Sequence, residues 1–274
     1  MARIGTTPFA FPDFHGATRR LILVNLAAYF ALALTGLAFP SITRDIVGWL
    51  VFYPNHFVHG AIWQPLTYSL IHPTGAILGT VFELLSLWFL AGLLESLHGD
   101  SWVMSLYGFS VLGTALAATA IYGGSAVLNY SLAVAPLYGC FGGIFGLLVA
   151  IGILHGDMQF MLFPLPIGIK ARYLAVIYGL IAIAMLFGEQ RLYAFSQLGG
   201  ALAAWMYIRM APRRGVSFAV SERWYGFRNS YYRWKRKRAA RKFEVYMKSQ
   251  GRTVRFDGNG RQIDEDHDDK TRWN

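Results

Sequence analysis

Residues 138–146 read Tyr-Gly-Cys-Phe-Gly-Gly-Ile-Phe-Gly, YGCFGGIFG, and set Gly139, Gly142, Gly143 and Gly146 inside one apolar run. Glycine is among the poorest helix formers in water, so the reading of this stretch depends on its solvent. In lipid, helices gain little by burying one leucine against another, and close backbone approach through small residues becomes a principal means of association. On a helix the four glycines fall at i, i+3, i+4 and i+7 and form one smooth stripe for a neighbour. Gly199 and Gly200, with Ala204, make a second such place, and the two segments are expected to pack closely within one bundle.

The composition agrees with a membrane setting. Of 274 residues, 55% are hydrophobic and 15% charged, against about 25% charged in soluble domains. About 20 apolar residues cross a hydrocarbon core, and six runs answer to that description: residues 21–39, 75–94, 102–122, 132–154, 173–187 and 192–208. The expected fold class is therefore all-α, a polytopic bundle of six transmembrane helices over residues 21–211. It follows an N-terminal segment, 1–20, and precedes a basic tail, 212–274. The run 21–39 exceeds the apolar core of a secretory signal and reads as a retained helix. The single cysteine, Cys140, excludes an intramolecular disulfide.

Eighteen of the 25 lysines and arginines lie in residues 209–274 and three in the first 20. Excess positive charge marks the cytoplasmic side, so an even number of spans puts both termini in the cytoplasm. The net charge of +10 belongs mostly to the tail, and nucleic acid is not the expected partner. With no organellar signal in view, a bacterial cytoplasmic membrane is expected. Between the first two runs, residues 40–73 are rich in aromatics and prolines and suit an interfacial position.

In the tail, Trp224, Phe227, Tyr231 and Trp234 recur at three- and four-residue intervals, as one helix face would. Lys235, Arg236, Lys237, Arg238, Arg241 and Lys242 follow, a segment that anionic lipid headgroups attract next to a last span. An acidic protein or an RNA partner is the alternative. Asp257-Gly-Asn-Gly260 reads as a tight turn and residues 264–269 as an acidic, solvated end.

Trp63-Gln-Pro-Leu-Thr67 and His72 ahead of the second run, Gly92-Leu-Leu-Glu95 at its end, the glycines from 139 to 146, residues 163–172 and Gln197-Leu-Gly-Gly200 follow one another in the chain. Together, over residues 20–210, they resemble the rhomboid superfamily. The resemblance implies the six-helix fold of an intramembrane serine protease, with a nucleophile in Gly-x-Ser-Gly and a base in His-x-x-Gly. Here Phe141 stands where that pattern has serine and Gln197 where it has histidine. Gly79 and Glu83 match the His-x-x-x-Asn positions that serve the oxyanion pocket. A phenyl ring cannot attack a carbonyl, a neutral amide is no general base, and a carboxylate repels a developing oxyanion.

The resemblance thus implies the scaffold without the chemistry: a pseudoprotease that binds or holds transmembrane client proteins without cutting them. The alternatives are an endopeptidase working through a displaced nucleophile, Cys140, and a structural subunit of a membrane complex. Glu83 is the one acidic residue well inside a run, and intramembrane ionisable groups usually face the protein interior. Glu83 and Gln197 are expected to form a polar pair across the old active-site cavity, with Phe141 as a plug in the former nucleophile space. Cys140 reads as a small buried hydrophobe and His72 as a residue that orients the second helix. Neither a cofactor nor a metal site is expected.

Overall fold

The computed structural model describes residues 12–128, 135–162, 167–188, 191–210, 216–251, 254 and 256, without the side chains of 161, 162, 167, 216–224 and 227. The expected turn at 257–260 and the acidic run at 264–269 lie outside the described residues. The chain forms two units, one ending at Val216 and the other starting at Ser217.

The first helix, α1, spans Gly16–Ala38. No side chain of its own first turn caps it. The carboxylate of Glu95, from a later helix, accepts the backbone N–H groups of Ala17 at 3.0 Å and Thr18 at 2.8 Å. These are two of the donors that any helix start leaves without a partner. Pro40 then opens α2, Pro40–Leu50, where the fixed φ of proline suits the first helical position and its missing N–H costs nothing. Two short helices follow, α3 Pro54–Val58 and α4 Gln64–Thr67, and a 3₁₀ turn at Tyr68–Leu70. The segment expected at the interface is therefore largely helical, and it is tied into the bundle. The Tyr68 hydroxyl donates to the Val111 carbonyl at 2.9 Å, and Phe52, fully buried, makes an antiparallel bridge with Leu137.

Helix α5, Ile77–His98, and helix α6, Asp100–Val127, are joined by Gly99 alone, at φ 86°. That left-handed conformation strains residues with a Cβ, and it reverses the chain in one step. With α1, these are the three helices among the described residues that are long and apolar enough to cross a membrane. Helix α7, Phe141–Leu154, and helix α8, Ala171–Met185, are apolar but shorter, and α9 covers Arg191–Met210. An antiparallel hairpin, β1 Gln159–Leu162 paired with β2 Ile167–Lys170, stands between α7 and α8. It is the one departure from an all-α fold among the named elements.

The run at 132–154 is not helical throughout. Residues 135–140 are irregular, and the helix begins at Phe141. Pro136 cannot extend a helix back through its predecessors, and Gly139 sits at φ 81°. Gly139 is therefore not part of a helical stripe. Buried irregular backbone is tolerated where protein satisfies its polar groups. Here Leu137 N–H donates to Phe52 O at 2.9 Å and Gly139 N–H to Ile71 O at 2.8 Å.

Helix α7 is the centre of the bundle, packed against α5, α6, α8 and α9, while α6 lies along α9. Small residues set these approaches. A Cβ on Gly142 would overlap Thr114, one on Gly143 the Tyr107 ring, and one on Gly146 Ser110, all on α6. A Cβ on Gly199 would overlap Ala117 of α6. One on Gly200 would overlap Thr114 and lie 3.1 Å from the Gly142 carbonyl. The glycines of α7 and α9 thus face α6 as much as each other.

In the second unit, α10 covers Val216–Ser249. Its described side chains are exposed except near Ala240 and Met247.

Candidate functional site

Glu83 sits in the second turn of α5, buried, with its carboxylate aimed at the start of α7. The backbone N–H of Cys140, the residue that caps α7, donates to Glu83 Oε1, and the thiol and the Phe141 N–H lie within hydrogen-bonding reach. A carboxylate at a helix N-terminus satisfies orphan donors and meets the positive end of the helix dipole. Gly139 is required beside it, because a Cβ there would lie 2.7 Å from Glu83 Oε1. Two carboxylates of α5 therefore perform one task at opposite ends of the same helix: Glu95 caps α1 and Glu83 caps α7.

His72 approaches from the third side. It is 2% exposed, and its Nδ1 lies 3.3 Å from the carbonyl oxygen of Leu70, which makes Nδ1 the protonated nitrogen. Nε2 points to Glu83 Oε2 at 3.6 Å and has no hydrogen-bond partner. Burial pushes the imidazole below its ordinary pKa, opposed by the Leu70 carbonyl. A ring nitrogen of His72, a carboxylate oxygen of Glu83 and Sγ of Cys140 all lie within 4.8 Å of one another, and all three residues are buried.

The expected pairing of Glu83 with Gln197 does not form. No hydrogen bond joins them among the described residues, because Glu83 is turned to Cys140 and His72, while the Gln197 amide meets the Tyr193 hydroxyl one turn away on α9. Phe141 is not a buried plug: the residue is 44% exposed and lines, with Gln197 and Tyr193, a cavity of about 660 Å³. Leu85 and Phe89 of α5, Ile144 and Leu148 of α7, and Tyr178 and Ile181 of α8 complete its apolar walls. Leu85, Phe89, Tyr178 and Ile181 are also exposed on the outside of the bundle, so the cavity opens laterally between α5 and α8. Gly79 lies on the exposed face of α5 and takes no part in either place.

Sequence reading singled out Glu83 and Phe141 but missed the grouping of His72 with Cys140. The local signal for it was weak: a histidine before one span and a cysteine before another, 68 and more residues apart in the chain, share no spacing that a motif could capture.

On α10, Tyr231 and Trp234 are exposed, with ring centroids 6.3 Å apart, and the Arg238 guanidinium lies 5.4 Å over the Trp234 ring. Lys235, Arg236, Lys237, Arg241 and Lys242 are exposed beside them. The Trp224 side chain lies outside the described residues.

Residues 21–222 match the family described as eukaryotic integral membrane protein (DUF1751). No curated protein matches the chain. The family's description as eukaryotic runs against the bacterial membrane expected from the sequence, whereas the integral membrane character agrees with the apolar helices. The match covers α1 to α9 and both the lateral cavity and the buried trio, and the chain belongs to this family of integral membrane proteins.

Proposed function

We propose that the protein is a rhomboid-like pseudoprotease that receives a transmembrane segment of a client protein in the cavity between α5 and α8 and does not cleave it. The reading takes six crossings, the shorter α7 and α8 among them, with both termini on the cytoplasmic side where the basic residues concentrate. The observation that carries it is the lateral cavity itself, apolar, open to the outside of the bundle, and lined by Phe141 and Gln197, the residues that stand in the positions of nucleophile and base. Neither side chain supports acyl transfer. Cys140, the remaining nucleophile, is fully buried and is not among the residues lining the cavity, which disfavours an endopeptidase using a displaced thiol. The exposed basic and aromatic face of α10 suits anionic lipid headgroups as a second partner.

The test is site-specific photocrosslinking in liposomes, with the probe at Phe89 or Tyr178 in the cleft or at the exposed Leu37 of α1, and a single-span rhomboid substrate as client. Crosslinks from the cleft positions alone, to an intact substrate, are the expected result. Cleavage of the substrate by a contaminant-free preparation, or equal crosslinking from Leu37, would overturn the reading.

A further inference from the structure

Two lone-pair-bearing atoms face each other in the buried trio. Nδ1 of His72 is committed to the Leu70 carbonyl, so Nε2 presents a lone pair, and what it faces at 3.6 Å is a carboxylate oxygen. Acceptor against acceptor in a buried place is unfavourable unless a metal ion or a proton lies between them. Nε2 is fully buried, unpartnered and aimed into the space it shares with Glu83 and the Cys140 thiol.

We propose that His72, Glu83 and Cys140 bind one divalent transition-metal ion, zinc by the character of the donors. Imidazole, carboxylate and thiolate are its usual ligands. The 3.6 Å separation of Nε2 from Oε2 is close to the edge of a tetrahedron with metal–ligand bonds of about 2.0–2.1 Å, which is about 3.3–3.4 Å.

The surroundings are also those of a metal site. The backbone carbonyl of Leu70 holds the histidine tautomer, and the Cys140 N–H holds the other oxygen of Glu83, the outer contacts that fix ligand orientation. Binding displaces the thiol proton of Cys140 to solvent, leaving thiolate, carboxylate and Zn²⁺ with no net charge, a favourable balance in an apolar interior. The ion would tie the segment after the 3₁₀ turn, α5 and the start of α7 at one point. This inference does not depend on client binding.

The experiment uses the full chain, tag removed, purified from cells grown with added zinc. Metal content is measured for the unmodified protein, Cys140→Ala and His72→Gln, and the metal-stripped unmodified protein is titrated with Co²⁺. Equimolar zinc that falls to background in both variants is expected, together with a thiolate-to-cobalt charge-transfer band in the near ultraviolet. Because Cys140 is the only cysteine, that band assigns the ligand even if a variant fails to fold. An unmodified protein that carries no zinc and gives no band overturns the proposal, leaving a shared proton between Glu83 and His72. Undiminished zinc in folded variants overturns it as well, since the metal then lies elsewhere.

Discussion

The carboxylate of Glu83 accepts the backbone N–H of Cys140, 57 residues further along the chain, and thereby caps a helix to which it does not belong. The start of α7 is thus set by α5. Removing the acceptor should loosen this junction before any other. Glu83→Ala leaves buried N–H groups without a partner and should cost about 1–3 kcal/mol, whereas Glu83→Gln keeps an oxygen in place and should cost less. Thermal unfolding in a single detergent, with the two variants compared, checks the order; equal losses would deny the cap.

The same logic applies at the other end of α5. Glu95→Ala should uncap α1 and destabilise by roughly 0.5–2 kcal/mol, the range for lost helix caps. The damage should be local. Limited proteolysis should show earlier cutting around residues 13–20 with the rest of the bundle protected, and a global loss of protection would contradict it.

Bulk at the helix crossings should be far more harmful than bulk on open faces. Gly200→Val drives a side chain into Thr114 and toward the Gly142 carbonyl, and overpacking of this kind costs typically 1–3 kcal/mol. Gly123 of α6 has nothing within 4 Å of a Cβ. Gly123→Ala should therefore be neutral or should stabilise by up to about 1 kcal/mol through helix propensity. Size-exclusion profiles and melting temperatures of the pair report the difference.

Cys140 is 0% exposed, and a thiol shielded in this way does not react as a free thiolate does. A membrane-permeant maleimide should leave the folded protein unlabelled and label it fully after denaturation in SDS. Rapid labelling of the folded form would reopen the reading in which Cys140 is a nucleophile.

The basic face of α10 should respond to lipid charge. In nanodiscs containing anionic lipid, trypsin should cut after residues 235–242 more slowly than in zwitterionic nanodiscs, and added salt should erase the difference, since it screens surface attraction. Equal rates in both lipids would assign the face to a protein partner instead.

Much of the architecture is local and was legible in the chain. The apolar runs at 21–39, 75–94 and 102–122 correspond to α1, α5 and α6, because twenty apolar residues in lipid leave the backbone no better course than a helix. The glycines at 142, 143, 146, 199 and 200 could be read as places of close approach, and a Cβ added at any of them would overlap a side chain of α6. The absence of serine at 141 and of histidine at 197 is a matter of identity alone.

Tertiary structure decided the rest. Hydropathy could not distinguish irregular buried backbone from helix, so the run at 132–154 concealed the break before Phe141, although Pro136 marked it. Nor could it choose a partner for Glu83. A buried carboxylate turns to whichever donor the crossing of its helix brings within reach, and α5 meets the start of α7 and the segment carrying His72 rather than the amide of Gln197 on α9. Spacing along the chain governs which residues share a helix face, but the distance between faces, and so the company a buried charge keeps, is set by how closely glycines let the backbones approach.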